Sequence, residues 1–190
     1  MISRSKALQH LAEARTDEIV ITAMMASREW SAHSDHQLDF NSVGTGMGHA
    51  SDIGLGLALA RPERRVIVLN GDGSMLMNLG QLVTIAQQAP PNLILMVLQN
   101  GVYEVTGGQP IPGPANLDFA GMARAAGIAK AYDFDELDAF VAVLPEILST
   151  PGPIFVNLRV VADTPSGPPP PRRPLPERAR QLMQALGATH

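Results

Sequence analysis

One segment constrains the fold of this chain more than any other: within residues 66–98, an apolar strand, a glycine-rich turn, an apolar helix and a second apolar strand follow one another. We expect the strands at 66–69 and 92–98 and the helix at about 75–88. Strands joined by such a crossover pair in parallel, and a parallel sheet is covered by helices on both faces. The segment therefore predicts an α/β fold, a doubly wound, mostly parallel sheet with helices on both faces.

The alternation of helix and strand continues on both sides of this segment. The patterns predict strands at 18–23 and 154–160, helices near Leu8 and at 51–60, 119–126 and 135–148, and loops at 31–41 and 101–116. With 190 residues, the chain is long enough for one such domain, which we place at 1–163.

The C-terminal part changes character. Residues 164–176 are dense in proline and predict an extended linker. Residues 177–190 predict a C-terminal helix. Its apolar stripe of Leu182, Met183 and Leu186 must dock on another surface, such as a partner chain.

Charge and composition exclude several classes of function. The formal net charge is −4 and the arginines are scattered, which argues against nucleic acid as a partner. The apolar stretches are too short for a membrane span, and the N-terminus lacks a secretory signal pattern. Since the absence of cysteine is typical of a reducing compartment, we expect a cytoplasmic protein whose partner is a small molecule or another protein.

Candidate binding chemistry lies in the turn NGDGS at residues 70–74, directly after the first apolar strand. Ligands of open α/β sheets bind beyond the carboxyl ends of the strands, where a helix start offers amide groups to an anion. The Asp72 carboxylate can bind Mg²⁺ or Ca²⁺, while the amides of Gly73 and Ser74 reach a phosphate. Taken alone, this turn is more typical of an ordinary loop than of a binding site.

A second candidate ligand follows the next strand, which ends in QNG at residues 99–101 and returns to the same edge of the sheet. Asn100 offers an amide oxygen to the same ion. The glycine after it lets the backbone turn a carbonyl, that of Val102, in the same direction.

Together, GDG at 71–73, the crossover and QN at 99–100 resemble the signature of the thiamine diphosphate enzymes, in which GDG precedes a pair of asparagines. Glutamine stands here at the first asparagine position, and Asn100 matches the second, metal-binding one. Segment 44–59 resembles the part that lies beside the cofactor's rings in that family. Met47 matches the bulky residue that holds the cofactor in its V shape.

The resemblance implies thiamine diphosphate and Mg²⁺ (or Ca²⁺) as cofactors, and Met47 and His49 as candidate catalytic residues. Two interpretations of His49 stand: contact with the substrate, or a hydrogen bond that supports its loop. The Thr45 carbonyl and the Met47 amide match the groups that bind the pyrimidine ring. The implied cofactor-binding residues are Thr45, Gly46, Met47, Gly71, Asp72, Gly73, Ser74, Asn100 and Val102, of which Asp72, Asn100 and Val102 hold the metal.

Within the superfamily, the chain is similar to the sulfopyruvate decarboxylases, whose diphosphate-binding half is a small separate beta subunit, and to the matching half of the phosphonopyruvate decarboxylases. The similarity covers about residues 1–160. It rests on SRE, GMGHAS, GDGS and GGQP at residues 27–29, 46–51, 71–74 and 107–110. The chain departs from this pattern at MMA, residues 24–26, where a small or glycine-containing turn is expected.

Several side chains keep two interpretations. Arg28 either recognises an anion or pairs with Glu29. Glu104, in the loop after Asn100, either contacts the substrate or is a solvated charge. His33 and His36 are spaced as HxxH in a predicted loop, which gives no reason for the imidazoles to converge, so we assign them to the surface.

The resemblance implies nucleophilic catalysis by the cofactor in the decarboxylation of a small anionic 2-oxo acid. It also implies that the activating glutamate belongs to a pyrimidine-binding alpha subunit, in an α2β2 or larger assembly. Two alternatives stand beside this one. The chain is half of a carboligase or other 2-oxo acid enzyme with the same cofactor residues, or it is a non-catalytic subunit that binds a diphosphate or nucleotide or regulates a partner.

Overall fold

The computed structural model describes residues 1–41, 47–113, 117–161 and 173–187 of the chain. The strands in these ranges are β1 (Ile19–Thr22), β2 (Asp39–Asn41), β3 (Val66–Gly71), β4 (Leu93–Gln99), β5 (Val102–Tyr103), β6 (Gln109–Pro110), β7 (Lys130–Phe134) and β8 (Ile154–Arg159). The helices are α1 (Arg4–Ala14), α2 (Met24–His33), α3 (Ala50–Ala60), α4 (Asp72–Leu76), α5 (Gly80–Gln88), α6 (Phe119–Ala126), α7 (Leu137–Ser149) and α8 (Leu175–Ala185).

Six strands form one parallel sheet in the order β2-β1-β3-β4-β8-β7. β3 and β4 lie in register, with Gly71 opposite Leu98, so both strands end at the same edge. The connections that leave β1 and β3 run to opposite sides of the sheet, which opens a crevice between the carboxyl ends of these two strands. Beyond β4, β5 and β6 pair as a small antiparallel hairpin.

Alternate residues of the central strands pack on opposite faces of the sheet. Val68 and Leu95 belong to an apolar cluster that includes side chains of α3, α5, α6 and α8. Ile67 and Met96 belong to a second cluster that includes side chains of α1, α2 and α7. The predicted doubly wound parallel sheet with helices on both faces is confirmed.

The helix predicted at 75–88 is wrong in one respect, because the structure divides it into α4 and α5. Asn78 lies at the break and donates its Nδ2 hydrogen to the Gly48 carbonyl at 3.0 Å. The Gln81 N–H donates to the Asn78 carbonyl at 3.1 Å, which is a turn rather than a helical bond. Asparagine competes with the helix for hydrogen bonds in this way and so favours turns.

Two edge strands and the whole of helix α2 were not predicted. α2 continues to His33 and β2 occupies residues 39–41, so the predicted loop at 31–41 is wrong at both ends. β7 follows α6 without having been predicted. Both missed strands lie at the edges of the sheet and stay partly exposed, so neither carries a continuous apolar run.

The C-terminal helix α8 packs on its own chain. Leu182 and Leu186 are buried in the same cluster as α3, while Met183 stays 37% exposed. The Arg61 guanidinium donates to the Leu186 carbonyl at 2.6 Å and so fixes the end of the helix. Most of the predicted linker lies outside the described residues.

Among the described helices, none combines the length and the apolar character that crossing a membrane requires.

Asn92, at the entry to β4, generates a prediction about the stability of this fold. Its buried Nδ2 lies within 3.0 Å of the Ala58 and Arg61 carbonyls and 2.7 Å from the Arg64 carbonyl, and thereby caps the end of α3. Asn92→Ala removes this donor, and we expect it to lower the free energy of unfolding by about 1–3 kcal/mol. Asn92→Asp, of the same size, places oxygen against oxygen and should cost more. Urea unfolding measures both, and a stable Asn92→Asp variant would contradict the capping role.

Candidate functional site

A cavity that is partly open to solvent lies at the carboxyl ends of β1, β3 and β4, in the crevice between the diverging connections. Its walls come from residues 23–26 after β1, residues 71–74 after β3 and the hairpin after β4, with Arg4 added from α1. The sequence-predicted residues that line it are Met47, Gly71, Asp72, Gly73, Ser74, Asn100 and Val102. Thr45 and Gly46 lie outside the described residues.

The Asp72 carboxylate joins the ends of the two central strands. The side chain is buried, with Oδ2 accepting the backbone N–H groups of Asn100 at 3.0 Å and Gly101 at 2.7 Å. Oδ1 accepts the N–H of Gly73 at 2.8 Å. Burial raises the pKa of Asp72 above its ordinary value, and the three backbone donors offset part of that rise.

Asn100 is oriented by two hydrogen bonds of opposite kind. Its Oδ1 accepts the N–H of Val102 at 2.9 Å, and its Nδ2 donates to Glu104 Oε2 at 2.7 Å. Gly101 has φ +80°, a left-handed conformation that glycine adopts without strain. The side chain of Asn100 therefore faces the cavity together with Asp72 and Val102.

The side-chain oxygen atoms of Asp72 and Asn100 are suited to bind a hard divalent cation. A carboxylate has about four acceptor positions and an amide oxygen two, so Asp72 and Asn100 each keep one after their hydrogen bonds. Mg²⁺ is commonly held by one or two carboxylates together with substrate phosphates, with water filling the remaining positions. Among the described residues, no three His, Asp or Glu side chains are grouped so that they could hold a metal ion.

Ser74 connects the GDGS turn to the segment that carries Met47. Its buried Oγ accepts the N–H of Gly48 at 2.8 Å, and this contact places Met47 at the cavity wall. The sequence suggested that the Gly73 amide reaches a phosphate, but in the structure this N–H donates to Asp72.

Tyr103 covers the GDG turn from the hairpin side. A Cβ atom on Gly73 would lie 2.4 and 2.6 Å from two carbons of the Tyr103 ring, which is closer than real contacts allow. The ring thus lies against the backbone of Gly73, where only glycine fits. Sequence reasoning missed Tyr103, since nothing in a two-residue strand marks its contact.

A buried group of charges supports the hairpin. Arg4, which is 2% exposed, pairs through Nε with Glu29 and through Nη1 with Glu104 Oε2 at 2.5 Å. Burial opposes the charge of Arg4, but the hydrogen bond to Glu104 and the two negative charges raise the pKa of Arg4 above its ordinary value. Glu104 is therefore not a solvated loop charge, and Glu29 has Arg4 as a partner that the sequence did not suggest.

The candidate histidines lie apart from the cavity. His49 is 61% exposed, and its Nδ1 is 2.5 Å from Asp52 Oδ2, a contact of the loop-supporting kind. His33 Nε2 lies 3.1 Å from Ser5 Oγ, and His36 Nδ1 accepts the N–H of Leu38 at 3.1 Å. The HxxH pair therefore forms no shared site. His49 as a catalytic residue stays a prediction.

The departure at residues 24–26 has a clear geometry. Met24 has φ +52° and opens α2, so a bulky residue holds the left-handed conformation that a glycine-containing turn would supply. Its side chain lines the cavity with that of Met25.

Residues 19–158 match the family described as "Thiamine pyrophosphate enzyme, C-terminal TPP binding domain". The chain is 40% identical over 161 residues to the sulfopyruvate decarboxylase subunit beta of Methanothermobacter thermautotrophicus, an alignment that covers 84% of this chain and 83% of the relative. It is 41% identical over 160 residues to the phosphonopyruvate decarboxylase of Streptomyces viridochromogenes, which covers 83% of this chain but 40% of the relative.

The fold has solved counterparts. The crystal structure of benzoylformate decarboxylase from Polynucleobacter necessarius superposes with a TM-score of 0.69 at 22% identity, covering 86% of this chain and 34% of the other. At this identity the likeness concerns the fold alone. The chain thus spans most of one separate subunit and about a third to two fifths of the longer proteins that it resembles.

The contact between Tyr103 and Gly73 gives a prediction. Gly73→Ala forces the ring and its hairpin to move, and we expect a loss of about 1–3 kcal/mol in the free energy of unfolding without ligand. Gly71→Ala is the control, because a Cβ there meets no described atom within 4 Å and φ is −92°. Chemical denaturation compares the two. Equal effects of both substitutions would show that the contact does not constrain the hairpin.

Proposed function

Because this chain belongs to the thiamine pyrophosphate enzymes, as the carrier of their C-terminal TPP binding domain, we propose that it is the diphosphate- and metal-binding subunit of a 2-oxo acid decarboxylase. The observation that carries the proposal is the meeting of Asp72 and Asn100 at the ends of β3 and β4, inside one cavity. A non-catalytic diphosphate-binding subunit explains this pair but gives no role to Met47 at the cavity wall.

In this proposal, Asp72, Asn100 and the Val102 carbonyl hold Mg²⁺, and the GDGS turn with Ser74 receives the diphosphate. Met47 supports the rings of the cofactor, and Thr45 and Gly46, which precede it in the sequence, are assigned to cofactor binding by the resemblance. When bound, thiamine diphosphate supplies the nucleophilic carbon that the protein itself lacks. The protein fixes the metal ligands at the ends of β3 and β4, beside the apolar wall of Met24, Met25 and Met47.

The partner in this proposal is a pyrimidine-binding alpha subunit that supplies the activating glutamate, in an α2β2 or larger assembly. The relative from Methanothermobacter is itself named as a subunit beta. The alignment covers 84% of this chain and 83% of that subunit. The 61% exposure of His49, two residues after Met47, agrees with a site that a second chain covers. A cytoplasmic location stays a prediction.

The substrate that we propose is a small 2-oxo acid with an anionic 3-substituent, because the two named relatives are sulfopyruvate and phosphonopyruvate decarboxylases. Among the described residues that line the cavity, Arg4 is the cationic one, and it already pairs with Glu29 and Glu104. We therefore expect the cations that recognise a sulfonate or phosphonate to come largely from the partner chain.

Loss of the metal ligand tests the cofactor assignment. We expect Asp72→Ala to weaken binding of thiamine diphosphate in the presence of Mg²⁺ by more than about 100-fold, since even residues that support metal ligands contribute about 10- to 100-fold. Calorimetric titration measures this. Asp133→Ala is the control. It removes a carboxylate of the edge strand β7 whose side chain is 29% exposed and pairs with Arg159 of β8.

The Asp72→Ala variant also loses the acceptor of three backbone N–H groups, so its stability falls by about 1–3 kcal/mol without ligand. Circular dichroism must therefore confirm that it is folded at the titration temperature. A folded Asp72→Ala chain that binds thiamine diphosphate and Mg²⁺ as tightly as the wild type would remove the assignment.

Reconstitution tests the need for a partner. We expect the purified chain alone to release no carbon dioxide from sulfopyruvate, phosphonopyruvate or pyruvate. Carbon dioxide should be released only when a pyrimidine-binding chain, thiamine diphosphate and Mg²⁺ are added. Robust turnover by the chain alone would contradict the proposal. Formation of a carbon–carbon bond instead of an aldehyde would favour the carboligase alternative.

A further inference from the structure

A continuous chain of polar contacts links α1 and α2 to the hairpin after β4. Glu29 in α2 pairs with Nε of Arg4 in α1, and Arg4 reaches Glu104 Oε2 at 2.5 Å and Oε1 at 3.3 Å. Glu104 Oε2 then accepts the Nδ2 hydrogen of Asn100 at 2.7 Å. The side chains of Arg4, Glu29 and Glu104 are 2%, 7% and 8% exposed, so the contacts are shielded from water.

The last contact decides which atom Asn100 offers to a ligand. A carboxylate can only accept and the Val102 N–H can only donate, so Glu104 binds the amide nitrogen and Val102 the amide oxygen. The reverse orientation would turn an NH₂ group towards the position of the oxygen, where it repels a cation. Glu104 therefore holds Asn100 with its oxygen available, and one lone pair of that oxygen remains after the bond to Val102.

Glu104 needs an anchor of its own. The residues that follow it, from Val105 to Pro110, are exposed, so water is within reach of its carboxylate if the hairpin turns outwards. Arg4 binds both carboxylate oxygens of Glu104, and Glu29 in turn fixes the guanidinium. A planar guanidinium is suited to such a two-point contact, whereas the ammonium of a lysine is not.

We propose that Arg4 and Glu104 are positioning residues for the metal site: the Arg4–Glu104 ion pair holds the Asn100 amide in the orientation that presents its oxygen to a divalent cation. The proposal rests on the proposed function, because it assigns Asn100 as a metal ligand. It adds α1, the first helix of the chain, to the elements on which metal affinity depends.

The test measures Mn²⁺ affinity of the full chain at saturating thiamine diphosphate, from the electron paramagnetic resonance signal of free Mn²⁺. Glu104→Met removes the acceptor, and we expect its dissociation constant for Mn²⁺ to rise by about 10-fold or more. Glu104→Gln keeps one oxygen that can accept from Asn100, so it should stay within about threefold of the wild type. A Mn²⁺ affinity of Glu104→Gln close to that of the wild type would distinguish a positioning role from the general effect of altering a buried residue.

Arg4 is tested through a double-mutant cycle. Arg4→Met should weaken Mn²⁺ binding by about 10-fold in the wild-type background and have little further effect when Glu104 is already methionine, because both changes release the same amide. Additive losses would overturn the proposal. Arg15→Met is the control: it removes a pair of similar burial, with Asp39, at the opposite end of α1, and should lower stability without changing Mn²⁺ affinity.

The remaining outcomes separate this proposal from the proposed function. If Asp72→Ala abolishes Mn²⁺ binding while Glu104→Met and Arg4→Met bind as the wild type does, positioning is wrong and the metal site stands. If Asp72→Ala binds Mn²⁺ as the wild type does, both the positioning role and the proposed metal site are wrong. Should Glu104→Met fail to fold, the Glu104→Gln and Arg4→Lys variants decide: Arg4→Lys is expected to weaken binding more than Glu104→Gln, and the opposite order overturns the proposal.

Discussion

The architecture of this site depends on one buried carboxylate that accepts hydrogen bonds from the end of the neighbouring strand. Asp72 follows β3, and its Oδ2 accepts the N–H groups of Asn100 and Gly101, which follow β4. Where adjacent strands end and diverge, such groups lose their ladder partners and need another acceptor. An ionised acceptor forms the stronger bond. Asp72 therefore satisfies the backbone N–H groups at the end of β4, and it keeps one acceptor position for a ligand in the cavity.

This arrangement concentrates negative charge away from water. Burial disfavours the ionised form of Asp72 and raises its pKa, while Glu104 and Glu29 add two more buried carboxylates that share the single positive charge of Arg4. A divalent cation in the cavity would interact favourably with these carboxylates at short range and low dielectric. A ligand that binds only the folded chain also stabilises it.

How much of this could be predicted from the sequence follows from where each residue lies. β3 and β4 are central strands, buried except for Gly71 at the end of β3, so their apolar runs predicted correctly that Asp72 and Asn100 follow two neighbouring strand ends. β2 and β7 are edge strands with one side open, and their mixed sequences carry no such signal. Arg4 was missed for another reason: it meets Glu104 across 100 residues, and arginine is so often exposed that no local pattern marks a buried one.

At Met24 the residue type departs from the family pattern, while the backbone has the conformation that the expected turn would have. The left-handed conformation at this position costs a non-glycine residue about 1–2 kcal/mol, yet the turn into α2 retains it at φ +52°. The geometry expected of a glycine-containing turn is thus preserved, and what changes is the cavity wall, where Met24 now lies beside Met25 and Met47. Thioether side chains are flexible and fill irregular apolar spaces. Since Asp72 and Asn100 follow β3 and β4, a change of side chain in this wall, which follows β1, leaves the Asp72–Asn100 end of the cavity unchanged.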